Sequence, residues 1–99
     1  MYRFCEDHYV EEIQKYIDTT YEQHYAQDKY QATDVILDAG YGEGFCIGNI
    51  LKYCKRYGKK EGRNRKDLLK VIHYADIYLC NYENMNWLAE KLLHYYHTS

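Results

Sequence analysis

No proline occurs in the 99 residues, and serine occurs once, at the terminal Ser99. The chain therefore lacks the residue that most often breaks a helix interior, and a serine in the last position cannot be held in a rigid nucleophile triad. No apolar run approaches the roughly 18 residues that a membrane span requires. The start, Met1-Tyr-Arg-Phe-Cys-Glu-Asp7, lacks the apolar stretch of a signal peptide, so a cytoplasmic location is expected. Cys5, Cys46, Cys54 and Cys80 never fall in C-x-x-C spacing, which argues against a zinc site or a disulfide framework and for reduced, mostly buried thiols. The phosphate loop G-x-x-x-x-G-K-[ST] is missing, and Gly40, Gly42, Gly44 and Gly48 do not fit G-x-G-x-x-G.

What the chain does hold is tyrosine: 14, against two Phe and one Trp. Rings with hydroxyl tips suit interfaces and ligand pockets as readily as cores. An apolar fraction of 46% with 28% charged residues fits one folded domain over residues 1–99, small enough that oligomerisation would add useful burial. The net charge of −2 is unevenly spread, because Lys52 to Lys70 holds nine of the 13 basic residues and only Glu61 and Asp67 as acids. A localised positive field of this kind favours a phosphate-bearing or acidic partner.

Hydrophobic spacing of three and four predicts an all-α fold, a compact bundle of about five helices. Tyr9, Val10, Ile13, Tyr16, Ile17, Tyr21 and Tyr25 mark a helix from Glu6 to about Tyr25, with a break possible at the β-branched pair Thr19-Thr20. Ala32 to Ala39 reads as a short second helix with Thr33 or Asp34 near its cap, followed by a turn over Gly40 to Gly44. Phe45 to Tyr57 is a third, closed by Gly58. After the polar connection Lys59 to Arg63, Asn64 caps a fourth that reaches about Cys80. Asn81 to Asn84 reads as a break, and Trp87, Leu88, Leu92 and Leu93 mark a last helix over Met85 to Tyr96. The fourth helix is apolar on more than one narrow stripe, which points to burial by the core or by another subunit, and a homo-oligomer is expected.

Asn49, Lys52, Tyr53 and Arg56 share one face of the third helix, and Asp67, Lys70 and Tyr74 share one face of the fourth. A short connection folds such helices antiparallel, so that the two stripes converge on one cleft. Lysine and Arg56 would neutralise phosphate there, Asn49 could bond a base or ribose edge, and Tyr53 or Tyr74 could stack on a ring. The alternative is an ion pair of Asp67 with Lys70 or Arg56 and tyrosines packed between helices. Glu11-Glu12 is reminiscent of the E-E-x-x-E metal motif of all-helical nucleotide pyrophosphohydrolases, but Lys15 stands where the third acid would be. His94 and His97 lie three apart without a nearby carboxylate. Neither pattern completes a metal site, and no metal or cofactor is expected.

The runs Tyr30-Gln-Ala-Thr-Asp34-Val-Ile, Gly44-Phe-Cys-Ile-Gly48-Asn49-Ile-Leu-Lys52-Tyr53-Cys-Lys-Arg56-Tyr-Gly58-Lys59-Lys60 and Asp67-Leu-Leu-Lys70 with Tyr74 resemble the DUF3310, or SaV-like, family of small bacteriophage proteins. The resemblance spans about Lys29 to Leu79. It implies an all-helical fold and a phage origin, hence the host cytoplasm, and it singles out Tyr30, Asp34, Asn49, Lys52, Tyr53, Arg56, Lys60, Asp67, Lys70 and Tyr74. Where members often carry His-Tyr, this chain carries Lys29-Tyr30. With no reaction assigned by any motif, the expectation is a non-catalytic binder of a small phosphorylated ligand, a nucleotide, such as would sequester a host immune nucleotide signal. Lys52, Arg56, Lys60 and Lys70 would hold the phosphate. The other readings are a metal-dependent nucleotide pyrophosphohydrolase-like enzyme, a nucleic-acid binder that tracks a phosphate backbone with its basic segment, and a module that contacts an acidic host protein.

Overall fold

Glu6 and Asp7 place negative charge in the first turn of α1 (Glu6–Glu22), where the helix dipole favours it. The computed structural model describes the backbone of residues 1–23 and 26–98 and the side chains of residues 1–23, 28–83 and 89–94. α2 (Ala26–Asp38), α3 (Gly42–Arg56) and α4 (Arg65–Thr98) follow, with no strand among the described residues. The all-α class is as the periodicity dictates. No helix among the described residues is long and apolar enough to cross a membrane.

The boundaries differ from expectation in ways that local chemistry explains. α1 runs through Thr19-Thr20, where both hydroxyls bond back to carbonyls of their own helix, Thr19 to Lys15 and Thr20 to Ile17. Its expected end at Tyr25 lies outside the described residues. α2 begins six residues before the expected Ala32, so Thr33 and Asp34 are interior residues and not caps, and the Thr33 hydroxyl bonds the Lys29 carbonyl at 3.0 Å. The Tyr41 N–H bonds the Ile36 carbonyl and the Gly40 N–H bonds the Leu37 carbonyl, closing α2 with Gly40 at φ +91°. The expected turn over Gly40 to Gly44 is therefore shorter, because Gly42 and Gly44 already belong to α3.

α3 ends where Gly58 takes φ +86°. Asn64 then caps α4, its side-chain oxygen accepting the Lys66 N–H at 3.0 Å. The expected break at Asn81 to Asn84 is absent, and the two helices read there are one helix of 34 residues. Asparagine disfavours a helix by only several tenths of a kcal/mol, and neither glycine nor proline is present to stop the turn. At 1.5 Å per residue α4 spans about 51 Å, and it sets the longest dimension of the molecule, 57 Å. The expected packing of Trp87 and Leu88 lies outside the described side chains.

α3 and α4 make the most extensive helix–helix contact, and they are antiparallel: Gly42 approaches Asn81, Phe45 and Tyr53 contact Tyr74, and Arg56 contacts Asp67. A β-carbon on Gly42 would lie 2.6 Å from the Asn81 amide nitrogen and 2.9 Å from a Leu37 methyl, so glycine lets the helices close at this end. Among the described side chains the buried set is small: Cys46, Tyr53 and Tyr74, with the polar Thr33, Asp67 and His73. α1 and α2 cover one side of the hairpin. Tyr16 meets His73 edge to face, Glu12 pairs with Arg65, and Tyr21 of α1 stacks on Tyr30 of α2 at 4.6 Å. Of the four thiols expected to be mostly buried, only Cys46 is. Cys5, Cys54 and Cys80 are exposed, because so small a core has room for few side chains.

Candidate anion-binding site

The Tyr53 ring is the centre of the basic segment. It is buried against Tyr74, with ring planes 13° apart and centroids 6.0 Å apart, and Tyr74 in turn meets Phe45 edge to face. Three cations gather over Tyr53: the Lys70 ammonium at 4.8 Å from the centroid, the Lys52 ammonium at 5.0 Å and the Arg56 guanidinium at 6.0 Å. The negative face of the phenol ring favours such an arrangement, which lowers the cost of crowding like charges. Burial raises the Tyr74 hydroxyl above the ordinary tyrosine pKa, assisted by the neighbouring Tyr53. The phenol stays neutral.

Lys70 and Tyr53 also line a cavity of about 260 Å³ with Tyr16, Thr19, Thr20 and Gln23 of the α1 end, Lys29 and Tyr30 of α2, and Lys66 of α4. Among the described residues the lining carries three lysines, three tyrosines, two threonines and a glutamine, and no carboxylate. Three lysine ammonium groups at one cavity make a site that suits an oxyanion, while the Thr19 and Thr20 hydroxyls give their hydrogens to the Lys15 and Ile17 carbonyls.

A second cavity of about 590 Å³ adjoins it, and Tyr30 lines both. Its polar groups are of opposite character: Asp34, Asp38 and Asp76, with Thr33, His73 and Asn81, over an apolar floor that includes Ile17, Leu37 and Ile77. The Tyr30 hydroxyl shares a 2.6 Å hydrogen bond with the Thr20 hydroxyl, which fixes the ring between the two spaces. His73 sits under this partition, 6.3 Å from the Tyr30 ring and 6.1 Å from Tyr16. Burial holds its pKa below the ordinary histidine value. Lys29 pushes the same way, and Asp76 opposes them.

The residues singled out from the sequence divide accordingly. Tyr30, Tyr53 and Lys70 line the cationic cavity, and Asp34 lines its neighbour. Tyr74 stands behind Tyr53 as packing. Lys52 is exposed, with its ammonium over the Tyr53 ring. Arg56 and Asp67 are paired with each other, Nε to Oδ1 at 3.9 Å, and Asp67 is sealed from solvent with its second oxygen lacking a hydrogen-bond partner. Asn49 donates to the Phe45 carbonyl one turn back at 2.9 Å, and so bonds its own helix. Lys60 lies exposed in the turn after α3, outside both cavities.

The residues that sequence reasoning missed are Lys66, Tyr16, Thr19, Thr20 and Gln23, together with Lys29, which was noted only as a departure from the family pattern. Only the packing of α1 and α2 onto α4 brings them together. Their one sequence signal was the membership of Lys66 in the basic segment.

Glu11 and Glu12 engage cations, Glu11 with Lys15 at 3.2 Å and Glu12 with Arg65. Among the described residues no three metal-ligating side chains converge, and the His97 side chain lies outside those described. Cys46 is fully buried, and desolvation raises its thiol pKa, the reverse of what a nucleophile needs.

No curated protein and no solved structure matches the chain. A family model does, over residues 6–76, which takes in α1 as well as the α2–α4 motifs and shows that the chain belongs to DUF3310, a family described as protein of unknown function.

Proposed function

We propose that this protein binds a small phosphorylated ligand, a nucleotide, in the paired cavities that α1 and α2 form with the α3–α4 hairpin. The observation that carries this reading is a cavity lined by Lys29, Lys66 and Lys70 with no carboxylate among its described lining residues, which shares Tyr30 with a second cavity lined by Asp34, Asp38 and Asp76 with no lysine or arginine among its described lining residues. Phosphate oxygens belong with the ammonium groups. Sugar hydroxyls and exocyclic amines are hydrogen-bond donors and belong with the carboxylates, beside the stacked Tyr21 and Tyr30 rings that line the same cavity. A molecule with an anion at one end and donors at the other fits both halves. A nucleotide is such a molecule.

The protein on this reading holds the ligand without transforming it. In a phage setting such a binder would remove a host immune nucleotide signal from circulation. Calorimetric titration with mono-, di- and cyclic nucleotides tests the proposal. Saturable heat with at least one of them is expected, and a flat titration for all of them sinks it.

A second reading has its own support, since Lys52, Lys55, Lys59, Lys60 and Arg63 are exposed outside the cavity and could follow a nucleic-acid backbone. Affinity for single-stranded nucleic acid that falls steeply with salt, with no nucleotide binding, would favour it over the cavity.

A further inference from the structure

The α3–α4 hairpin has two unlike sides. Lys66, Lys70 and His73 look toward α1 and α2, where the cavities form. On the opposite side of α4, Leu68, Ile72, Leu79, Tyr82 and Leu93 are all exposed, none less than 44%. Their spacings of four, seven, three and eleven are those of alternate a and d positions in a heptad repeat, and Ala75 and Ala89 occupy intervening ones. At 3.6 residues per turn these five fall in a stripe about 80° wide. On α3, exposed Ile47 and Leu51 lie on the side away from Asn49, Lys52 and Arg56. Because the hairpin is antiparallel, they flank the α4 stripe. At the start of the stripe a groove of about 310 Å³ opens between Tyr9, Tyr57, Leu68 and Ile72.

We propose that this side is a homodimer interface, with α4 of one protomer laid parallel along α4 of its partner. Three observations select a second copy as the occupant. α4 has 34 residues, roughly five heptads, longer than a two-stranded pairing requires. α3 begins at Gly42 beside Asn81, so residues 82–98 of α4 extend beyond the hairpin with the repeat still in phase.

Surface area gives the third. The accessible surface is 8295 Å², whereas a folded monomer of 12.0 kDa exposes roughly 6,000 Å². An excess on the order of 2,000 Å² is what one protomer of an obligate dimer covers.

Charge sets the direction. Asp76, Glu83 and Glu90 form a row along one border of the stripe. An antiparallel partner would bring its own acidic row against it, while a parallel one presents the border that holds Tyr78 and Leu92.

Light scattering on the wild-type protein at tens of micromolar is expected to give twice 12.0 kDa, with a thermal midpoint that rises with protein concentration. The double variant Ile72→Lys/Leu79→Lys is expected to halve the mass while keeping its helical circular dichroism. Leu93→Cys is expected to form a symmetric disulfide with its partner under mild oxidation, beyond any cross-linking of the wild type. A wild-type mass of 12.0 kDa overturns the interface, and so does a dimer mass that a folded double variant retains. If the double variant does not fold, a midpoint independent of wild-type concentration overturns it equally. A dimer in which Leu93→Cys stays uncross-linked overturns the parallel alignment.

Discussion

The Asp67 carboxylate reaches the Arg56 guanidinium across the mouth of the α3–α4 hairpin, and of the two side chains only the arginine keeps contact with water, 29% exposed against 3%. Removing the cation therefore leaves a sealed charge without its counterion, whereas neutralising the acid leaves an arginine that water can still solvate. Arg56→Met is expected to lower stability by about 2–4 kcal/mol and Asp67→Asn by about 1–2 kcal/mol. The double variant should lose less than the two together. Urea denaturation of all four proteins measures the coupling, and strict additivity would remove the pair from any account of the hairpin.

The cavity lysines and the loop lysines should separate in binding. Lys66→Ala and Lys70→Ala each remove an ammonium from the cationic lining, and each is expected to weaken nucleotide binding by about tenfold or more. Lys60→Ala, in the exposed turn, should change it by less than about twofold. Titration calorimetry on the three variants checks the order. Equal losses from all three would point to a diffuse basic surface in place of a pocket.

His73 gives the fold a pH dependence of predictable sign. Its folded-state pKa is lowered by burial and by Lys29, so the unfolded chain takes up the proton first as pH falls, and stability declines below about 6.5, the ordinary histidine value. One group contributes at most about 1.4 kcal/mol per pH unit. Chemical denaturation at pH 7.5 and 5.5 on wild type and His73→Gln should show this share of the decline only in the wild type. Tyr16, Tyr30, Lys29 and Asp76 all face the imidazole, so the substitution also costs packing at both pH values.

Glycines in α3 are not equivalent. Nothing lies within 4 Å of a β-carbon built on Gly44 or Gly48, and each interior glycine disfavours a helix. Gly44→Ala and Gly48→Ala are each expected to raise stability by about 0.5–1 kcal/mol. Gly42→Ala should gain less or nothing, because the side chains of Asn81 and Leu37 must move. Gly58→Ala should lose about 1 kcal/mol, since φ there is +86°. Thermal denaturation of the four variants ranks them.

Much of this architecture was legible in the chain. The Asn64 cap, the Gly58 stop and the antiparallel α3–α4 pairing follow from local rules that the structure obeys. The long α4 was not legible as one element, because asparagine favours turns on average yet only weakly opposes a helix whose apolar repeat continues beyond it. The candidate site was half legible. Tyr53 and Lys70 meet because α3 and α4 form a hairpin, and the face each occupies on its own helix is readable from spacing alone. Lys29 and the α1 hydroxyls arrive through tertiary packing, for which spacing along the chain offers no signal. Asn49 and Arg56 were plausible ligands by residue type, but nearby partners within the protein already engage them.

Cys46, enclosed at the α3–α4 contact while Cys5, Cys54 and Cys80 are exposed, turns the protein into its own gauge of opening. An alkylating reagent added to the native state should label the exposed thiols promptly and leave this one until the hairpin parts. The lag before the last adduct, read by intact mass, then times the separation of α3 from α4 without an introduced probe.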